Sequence, residues 1–170
     1  MREKFAVLLL TLLAWAAPAA AQPDGCLQYS WSYGREIDLF ADGYLPTIDS
    51  ASSLPKEGVF ALRLKATSDI MYPVPPDRGR DGGYGGYVTL ESIPAGRYHI
   101  VLSEDAWVDA VEEHARLPVR DAGKIDNCPS VRQSVQFEVT GQPLTIQISG
   151  APVDHLSIAV VRVWNFERKK

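Results

Sequence analysis

Residues 87–103, YVTLESIPAGRYHIVLS, indicate the fold class more clearly than any other stretch of this 170-residue chain. Apolar and polar side chains alternate in both halves, and Tyr98, Ile100 and Leu102 form one face of the second half. Such alternation places every other side chain on the same side of a β-strand. The central PAG is a turn signal, because proline and glycine favour turn conformations. The stretch therefore predicts a β-hairpin.

The same alternation recurs along the chain. It marks further strands at 59–66, 134–140, 144–150 and 156–166. The last of these segments is rich in β-branched residues and apolar on both sides, which predicts a central strand. Turn signals recur about every ten residues, as in antiparallel sandwiches. The chain is therefore predicted to be all-β, an antiparallel β-sandwich of about seven or eight strands, immunoglobulin-like or prealbumin-like.

The segment EDAWVDAVEEHARL, residues 104–117, permits two interpretations. Its apolar positions allow a helix of about three turns that opens with acidic residues. A strand would place Trp107, Asp109 and Val111 on one face and turn Asp109 inward without a partner. We favour a strand followed by a loop, because the neighbouring segments are all strands.

The first 21 residues have the features of a secretory signal peptide. Arg2 and Lys4 precede the apolar run 5–17, and Ala19 and Ala21 form an A-x-A cleavage site. This run is too short for a permanent membrane span, and no later run is long enough. We therefore expect cleavage near Ala21, a single domain over 22–170, and a periplasmic or secreted protein without a membrane span.

The charge balance argues against nucleic acid as a partner. Removal of Arg2, Lys4 and Glu3 with the signal reduces the 17 basic and 21 acidic residues to 15 and 20, a net charge of −5. Binding to phosphates requires a basic surface, which this composition does not favour.

Two cysteines, Cys26 and Cys128, fit an oxidising compartment. A structural disulfide between them is predicted, since no C-x-x-C spacing suggests a redox or metal site. By closing a loop of about 100 residues, it would contribute roughly 4–5 kcal/mol in the chain-entropy account.

Two segments resemble known secreted modules. Residues 87–103 resemble the hairpin of carboxypeptidase-regulatory-like and transthyretin-like domains, in which a strand leads through lPaGxY to the next strand. The run VQFEVTGQPLTIQISG, residues 135–150, is similar to bacterial pre-peptidase C-terminal domains. Both families are secreted β-sandwiches that serve mostly as accessory or adhesive modules, and neither resemblance implies catalytic residues.

The loop PVPPDRGRDGGYGGYVTL, residues 73–90, is the main candidate for ligand binding. It lacks the lysine and the following helix that a phosphate-binding loop needs. Its tyrosines could stack on a sugar or fill a groove of a partner, because their rings are flat and amphipathic. The predicted ligand-binding residues are Arg78, Arg80, Tyr84 and Tyr87, the alternative being a solvated connection without a ligand.

The leading functional interpretation is a binding or accessory module, without a cofactor, for a protein or glycan at the cell envelope. The alternative is a metal-dependent enzyme. His114, His155 and Glu112 would then form a two-histidine, one-carboxylate iron site like that of non-haem dioxygenases. In a continuous strand Glu112 and His114 would share a face, but nothing in the sequence brings His155 to them.

Overall fold

The computed structural model describes residues 34–41, 44–79 and 81–163. They form a short helix α1 (Gly34–Ala41), a 3₁₀ turn (Thr67–Asp69) and twelve strands. The strands are β1 (Thr47–Asp49), β2 (Ser52–Leu54), β3 (Val59–Arg63), β4 (Lys65–Ala66), β5 (Tyr84–Leu90), β6 (Gly96–Leu102), β7 (Trp107–Glu112), β8 (Ala115–Arg116), β9 (Val119–Lys124), β10 (Gln133–Val139), β11 (Leu144–Ala151) and β12 (His155–Arg162).

The strands form two mixed sheets of six strands each. The first sheet has the order β1-β3-β12-β6-β10-β9, and the second has the order β2-β5-β11-β7-β8, with β4 also paired to β5. Of the predicted all-β, antiparallel sandwich, the predominance of β-strands is thus confirmed, and β12 is a central strand as expected. Two pairs, β1 with β3 and β2 with β5, are parallel, so the described sheets are not purely antiparallel.

The strand count exceeds the prediction because short strands add to the predicted ones. The three-residue strands β1 and β2 lie in the segment 42–58, which shows no period-two pattern. Each is an additional strand at the edge of one sheet. A strand of three residues is too short to show an alternation of apolar and polar side chains.

The predicted hairpin at 87–103 is wrong. Its two halves, β5 and β6, are strands in different sheets: β5 pairs with β11, and β6 pairs with β10 and β12. The connection carries Ile93, which is 3% exposed and packs in the core between the sheets. We call this connection between the sheets, residues 91–95, the arch. The hydroxyl of the buried Tyr98 stabilises it by donating a hydrogen bond to the carbonyl of Pro94 at 2.9 Å.

The two sheets pack face to face through one hydrophobic core. Both sheets contribute the alternating side chains, for example Ile100 and Leu102 from β6 and Ile146 and Ile148 from β11, none of which has exposed surface. Burial of each such side chain stabilises the fold by about 1.5–3 kcal/mol. The period-two pattern therefore identified the core faces correctly.

A smaller apolar cluster lies on the outer face of the first sheet. Val101 and Ala159 of the sheet pack there against Ile125, Cys128 and Val131 from the loop that joins β9 to β10. Helix α1 covers the same cluster. Cys128 has no exposed surface, but its predicted partner Cys26 lies outside the described residues, so the disulfide stays a prediction. The predicted signal peptide, residues 1–21, also lies outside them.

The strand favoured for the ambiguous segment 104–117 is confirmed as β7, but the predicted loop after it is a two-residue turn that leads into the short strand β8. Strand β7 runs antiparallel to β11 and turns through Glu113 and His114 into β8. Both turn residues have positive φ, 47° and 66°, the backbone conformation of a two-residue type I′ hairpin. Among the described residues, no helix is long and apolar enough to cross a membrane.

Candidate ligand-binding cleft

The outer face of the second sheet is covered by residues 70–79, which we call the strap. Six hydrogen bonds hold it to the sheet. The amide of Gln147 both accepts from the Val74 N–H at 3.1 Å and donates to the Val74 carbonyl at 2.9 Å. The Tyr72 hydroxyl donates to the Ile148 carbonyl at 2.7 Å. The proline-rich half of the predicted binding loop is therefore a fixed cover of the sheet.

The glycines that follow the strap make room for this cover. A Cβ atom at Gly85 would collide with the Tyr72 hydroxyl. Gly83 has φ +68°, and a Cβ there would lie 2.5 Å from the Ala151 carbonyl oxygen. Gly83 and Gly85 are thus explained by the close approach of neighbouring atoms, without a ligand, whereas a Cβ at Gly82 would meet nothing within 4 Å.

Asp109 joins the strap to the sheet at the strap's end. Its side chain projects from β7, is 7% exposed, and accepts two hydrogen bonds. The backbone N–H of Asp77 donates to Oδ2 at 3.0 Å, and the indole Nε1 of Trp107 donates to Oδ1 at 3.1 Å. A strand interpretation left this carboxylate facing inward without a partner. It lies instead on the outer face, where the strap supplies one donor and Trp107 the other.

A cleft of about 470 Å³ opens beside this junction, within the size range of small-molecule sites. One wall is the end of the strap with Gly150, another is the start of β7, and the third is the end of β9 with Gln133. The cleft therefore lies between β9, the last strand in the order of the first sheet, and strands β7 and β11 of the second sheet. Its lining residues are Arg78, Gly79, Asp105, Ala106, Trp107, Ala122, Gly123, Lys124, Gln133, Ser149 and Gly150.

Arg78 and Trp107 are the dominant pair in the cleft. The guanidinium carbon lies 4.7 Å from the centroid of the Trp107 ring, within the range of a cation–π interaction. Asp109 orients the ring, and Ser149 Oγ donates to the Arg78 carbonyl at 2.8 Å, which fixes the backbone from which the Arg78 side chain projects. The Arg78 side chain is nevertheless 72% exposed, which leaves its outer face accessible.

Two carboxylates modulate the charge of the cleft. Asp77 Oδ2 lies 3.8 Å from Arg78 Nε, which is too long for a hydrogen bond. Lys124 Nζ lies 3.2 Å from Asp105 Oδ2 across the opening. The charged residues that line the cleft are Arg78, Lys124 and Asp105, which together carry one net positive charge. The whole chain, in contrast, has a net charge of −4.

Among the predicted ligand-binding residues, the structure places Arg78 and Tyr87 in different surroundings. Arg78 lies in the cleft against Trp107, but Tyr87 lies on the other side of β11, where it packs against Tyr72 with ring centroids 6.4 Å apart. Tyr84 begins β5 and is 38% exposed. Arg80 lies outside the described residues.

The residues of the alternative iron site also lie apart. The turn at 113–114 separates Glu112 from His114, so the two side chains do not share a strand face. Glu112 is 5% exposed, and its carboxylate accepts from Thr140 N at 3.0 Å and from Thr140 Oγ1 at 2.9 Å. This carboxylate connects β7 to the loop between β10 and β11.

His155 lies near the opposite end of β11 from His114. His155 follows the end of β11 at Ala151. His114 lines a shallow pocket with Thr145, near the start of the same strand. Along β11, Thr145 and Ala151 are about 20 Å apart. The ring of His155 instead contacts Asp154, with Nδ1 and Oδ1 2.8 Å apart. In the part of the chain that the structure describes, no three histidine, cysteine, aspartate or glutamate residues are grouped to hold a metal ion.

Sequence reasoning missed most of the cleft. The sequence pattern assigned Trp107 and Asp109 only a place in a strand or helix, and it gave no indication of Lys124 and Gln133. The W-x-D pattern of Trp107 and Asp109 was a usable signal. Side chains two residues apart in a strand lie on the same face, so the indole N–H can reach the carboxylate. The contribution of β9 and β10 depends on how the two sheets pack, which no local pattern reveals.

Comparisons of the chain with protein-family models, with curated proteins and with solved structures found no match. The local resemblances at 87–103 and 135–150 therefore do not extend to a family assignment. The first also loses its structural basis, because that segment is an arch between two sheets and not a hairpin.

Proposed function

We propose that this protein is an exported binding or accessory module, and that its ligand binds in the cleft between Arg78 and Lys124. The chain is a single β-sandwich domain of immunoglobulin-like or prealbumin-like type, delivered to the periplasm or secreted after cleavage near Ala21. Its partner is a protein or glycan of the cell envelope. No catalytic residue or cofactor is part of this proposal.

The observation that carries the proposal is the exposed Arg78 guanidinium held over Trp107. Arginine and tryptophan are enriched among residues that dominate binding energies. Here Asp109 holds the Trp107 ring, and Ser149 holds the backbone of Arg78, before any ligand arrives. Preorganisation of this kind lowers the entropic cost of binding. The cleft also combines an aromatic surface with a few polar groups, as ligand sites generally do.

Thermal unfolding in the presence of fractionated envelope material tests the proposal. A ligand that binds only the folded state raises stability by about 2.7 kcal/mol at a hundredfold excess over its dissociation constant. We expect at least one polysaccharide or protein fraction to raise the melting temperature, and Arg78→Ala to abolish the increase. Arg97→Ala is the matched control, since Arg97 is an exposed arginine paired with Glu138 at 3.5 Å outside the cleft. An equal increase in both variants would show that the cleft is not the site.

Export has its own test. The amino terminus of the protein recovered from cells is expected at residue 22, and a retained segment before Ala21 would contradict export by cleavage. After denaturation without a reductant, an alkylating reagent should label neither Cys26 nor Cys128. Labelling of both cysteines before reduction would rule out the predicted disulfide.

A further inference from the structure

The exposed guanidinium of Arg78 has unused hydrogen-bonding capacity. Within the described residues its N–H groups donate no hydrogen bond, since Asp77 stays at 3.8 Å from Nε. The guanidinium carbon lies 4.7 Å from the centroid of the Trp107 ring while the side chain is 72% exposed, so its N–H groups remain accessible to a ligand. A planar carboxylate matches this fork with two parallel charge-assisted hydrogen bonds.

The polar groups around Arg78 are suited to hydroxyl groups of a ligand. The Gln133 side chain accepts from the Ala106 N–H at 3.2 Å through Oε1, so its amide nitrogen remains a donor. Asp105 supplies carboxylate acceptors, and it is half-exposed at the opening. A hydroxyl group both donates and accepts, and a ring with several of them can use both kinds of partner.

The neighbouring strand edge is unfavourable for an extended peptide. Strand β9 is the edge of the first sheet as far as the described residues show, and it forms one wall of the cleft. The Asp121 side chain accepts the Ala122 N–H at 2.8 Å, and the pairing with β10 is irregular opposite Gln136 and Phe137. Charged side chains and bulges are the features that protect strand edges from pairing with another chain. A compact ligand therefore fits this wall better than an added β-strand.

We propose that the cleft recognises an acidic saccharide, a sugar that carries a carboxylate. The carboxylate binds the N–H edge of Arg78, and the hydroxyl groups of the sugar contact Asp105 and Gln133. Lys124 adds positive charge at the opening. This inference rests on the proposed binding function and specifies the class of ligand.

The inference is tested by titrating the purified mature protein with trigalacturonate. Binding is monitored through the indole N–H signal of Trp107 in nuclear magnetic resonance spectra. The methyl ester of the same trisaccharide is the neutral control, and the peptide acetyl-Ala-Glu-Ala-amide presents a carboxylate without a sugar. We expect a saturable shift with trigalacturonate, binding at least about tenfold weaker for the ester and the peptide, and further weakening by salt. Arg78→Gln should weaken binding by a similar factor, and Arg97→Gln should not.

Three results would overturn the inference. Equal binding of the ester would remove the carboxylate from recognition, and tighter binding of the peptide would replace the sugar with a peptide. Absence of a saturable shift with all three probes at about 10 mM would exclude this ligand class. In that case the envelope-fraction experiment still decides whether the protein is a binding module, because it does not depend on the saccharide.

Discussion

Replacement of Asp109 should separate the strap from the sheet it covers. This carboxylate is 7% exposed and accepts one hydrogen bond from Asp77 in the strap and one from Trp107 in β7. In Asp109→Ala both donors lose their acceptor. Asp109→Asn keeps one acceptor oxygen but turns an amide NH₂ toward the second donor.

The expected cost follows from these two hydrogen bonds. A hydrogen bond to a charged group contributes about 1.5–3 kcal/mol, and the lower value applies here because the exposed Asp77 admits water. Asp109→Ala should therefore lower the free energy of unfolding by about 3 kcal/mol, and Asp109→Asn by about half of that. For a domain of this size, 3 kcal/mol corresponds to a melting temperature lower by roughly 6–12 °C.

Urea unfolding followed by circular dichroism measures this loss, with Asp105→Asn as the control. Asp105 is an exposed carboxylate paired with Lys124, so its replacement should cost less than about 1 kcal/mol. Hydrogen exchange of the Trp107 indole N–H reports on the same bond directly and should become faster in both Asp109 variants. If Asp109→Ala costs no more than Asp105→Asn, the carboxylate does not hold the strap.

Three further substitutions test single groups. Burial raises the pKa of Tyr72 to about 12 from 10.0, so the stability it contributes is complete below pH 10 and is lost as the pH rises to 12. Tyr72→Phe should remove this alkaline loss of stability from urea unfolding measured at increasing pH, and an unchanged alkaline profile would contradict the assignment. Burial, helped by the charge of Arg97, lowers the pKa of His99 below 6.5, so stability should fall as the pH drops from 7 to 5, and His99→Gln should flatten that profile in thermal melts. Glu112→Ala should cost at least about 2 kcal/mol in urea unfolding because it removes the acceptor of two donors, whereas a similar cost for the exposed Glu113→Ala would refute that explanation.

Alternation along the sequence predicted where strands lie and which of their faces are buried. Residues 144–150 illustrate this success, since Ile146 and Ile148 are buried in the core as the pattern indicated. Which strands pair was not predictable in the same way. The only local sign that the chain crosses from one sheet to the other was Ile93, an apolar residue within the predicted turn that is buried in the core.

The candidate site was less predictable than the fold. Arg78 was identified from its loop, but the partners that make it a site come from distant segments, namely Trp107, Lys124 and Gln133. Pairing of Tyr72 with the carbonyl of Ile148 likewise joins segments 76 residues apart. Contacts of this range depend on sheet packing, which local residue patterns do not encode.

The positions of β11 and β12 in the two sheets determine when this protein can fold. Strand β11 is the only link between β5 and β7 in the described second sheet, and β12 is the only link between β3 and β6 in the first. A chain synthesised as far as residue 143 therefore lacks the centre of both sheets. Ribosomal synthesis runs from the amino terminus, so neither sheet can form co-translationally from the earlier strands alone. The second sheet can be completed only after β11 ends at Ala151, and the first only after β12 ends at Arg162, so the core between the two sheets closes at a late stage of synthesis.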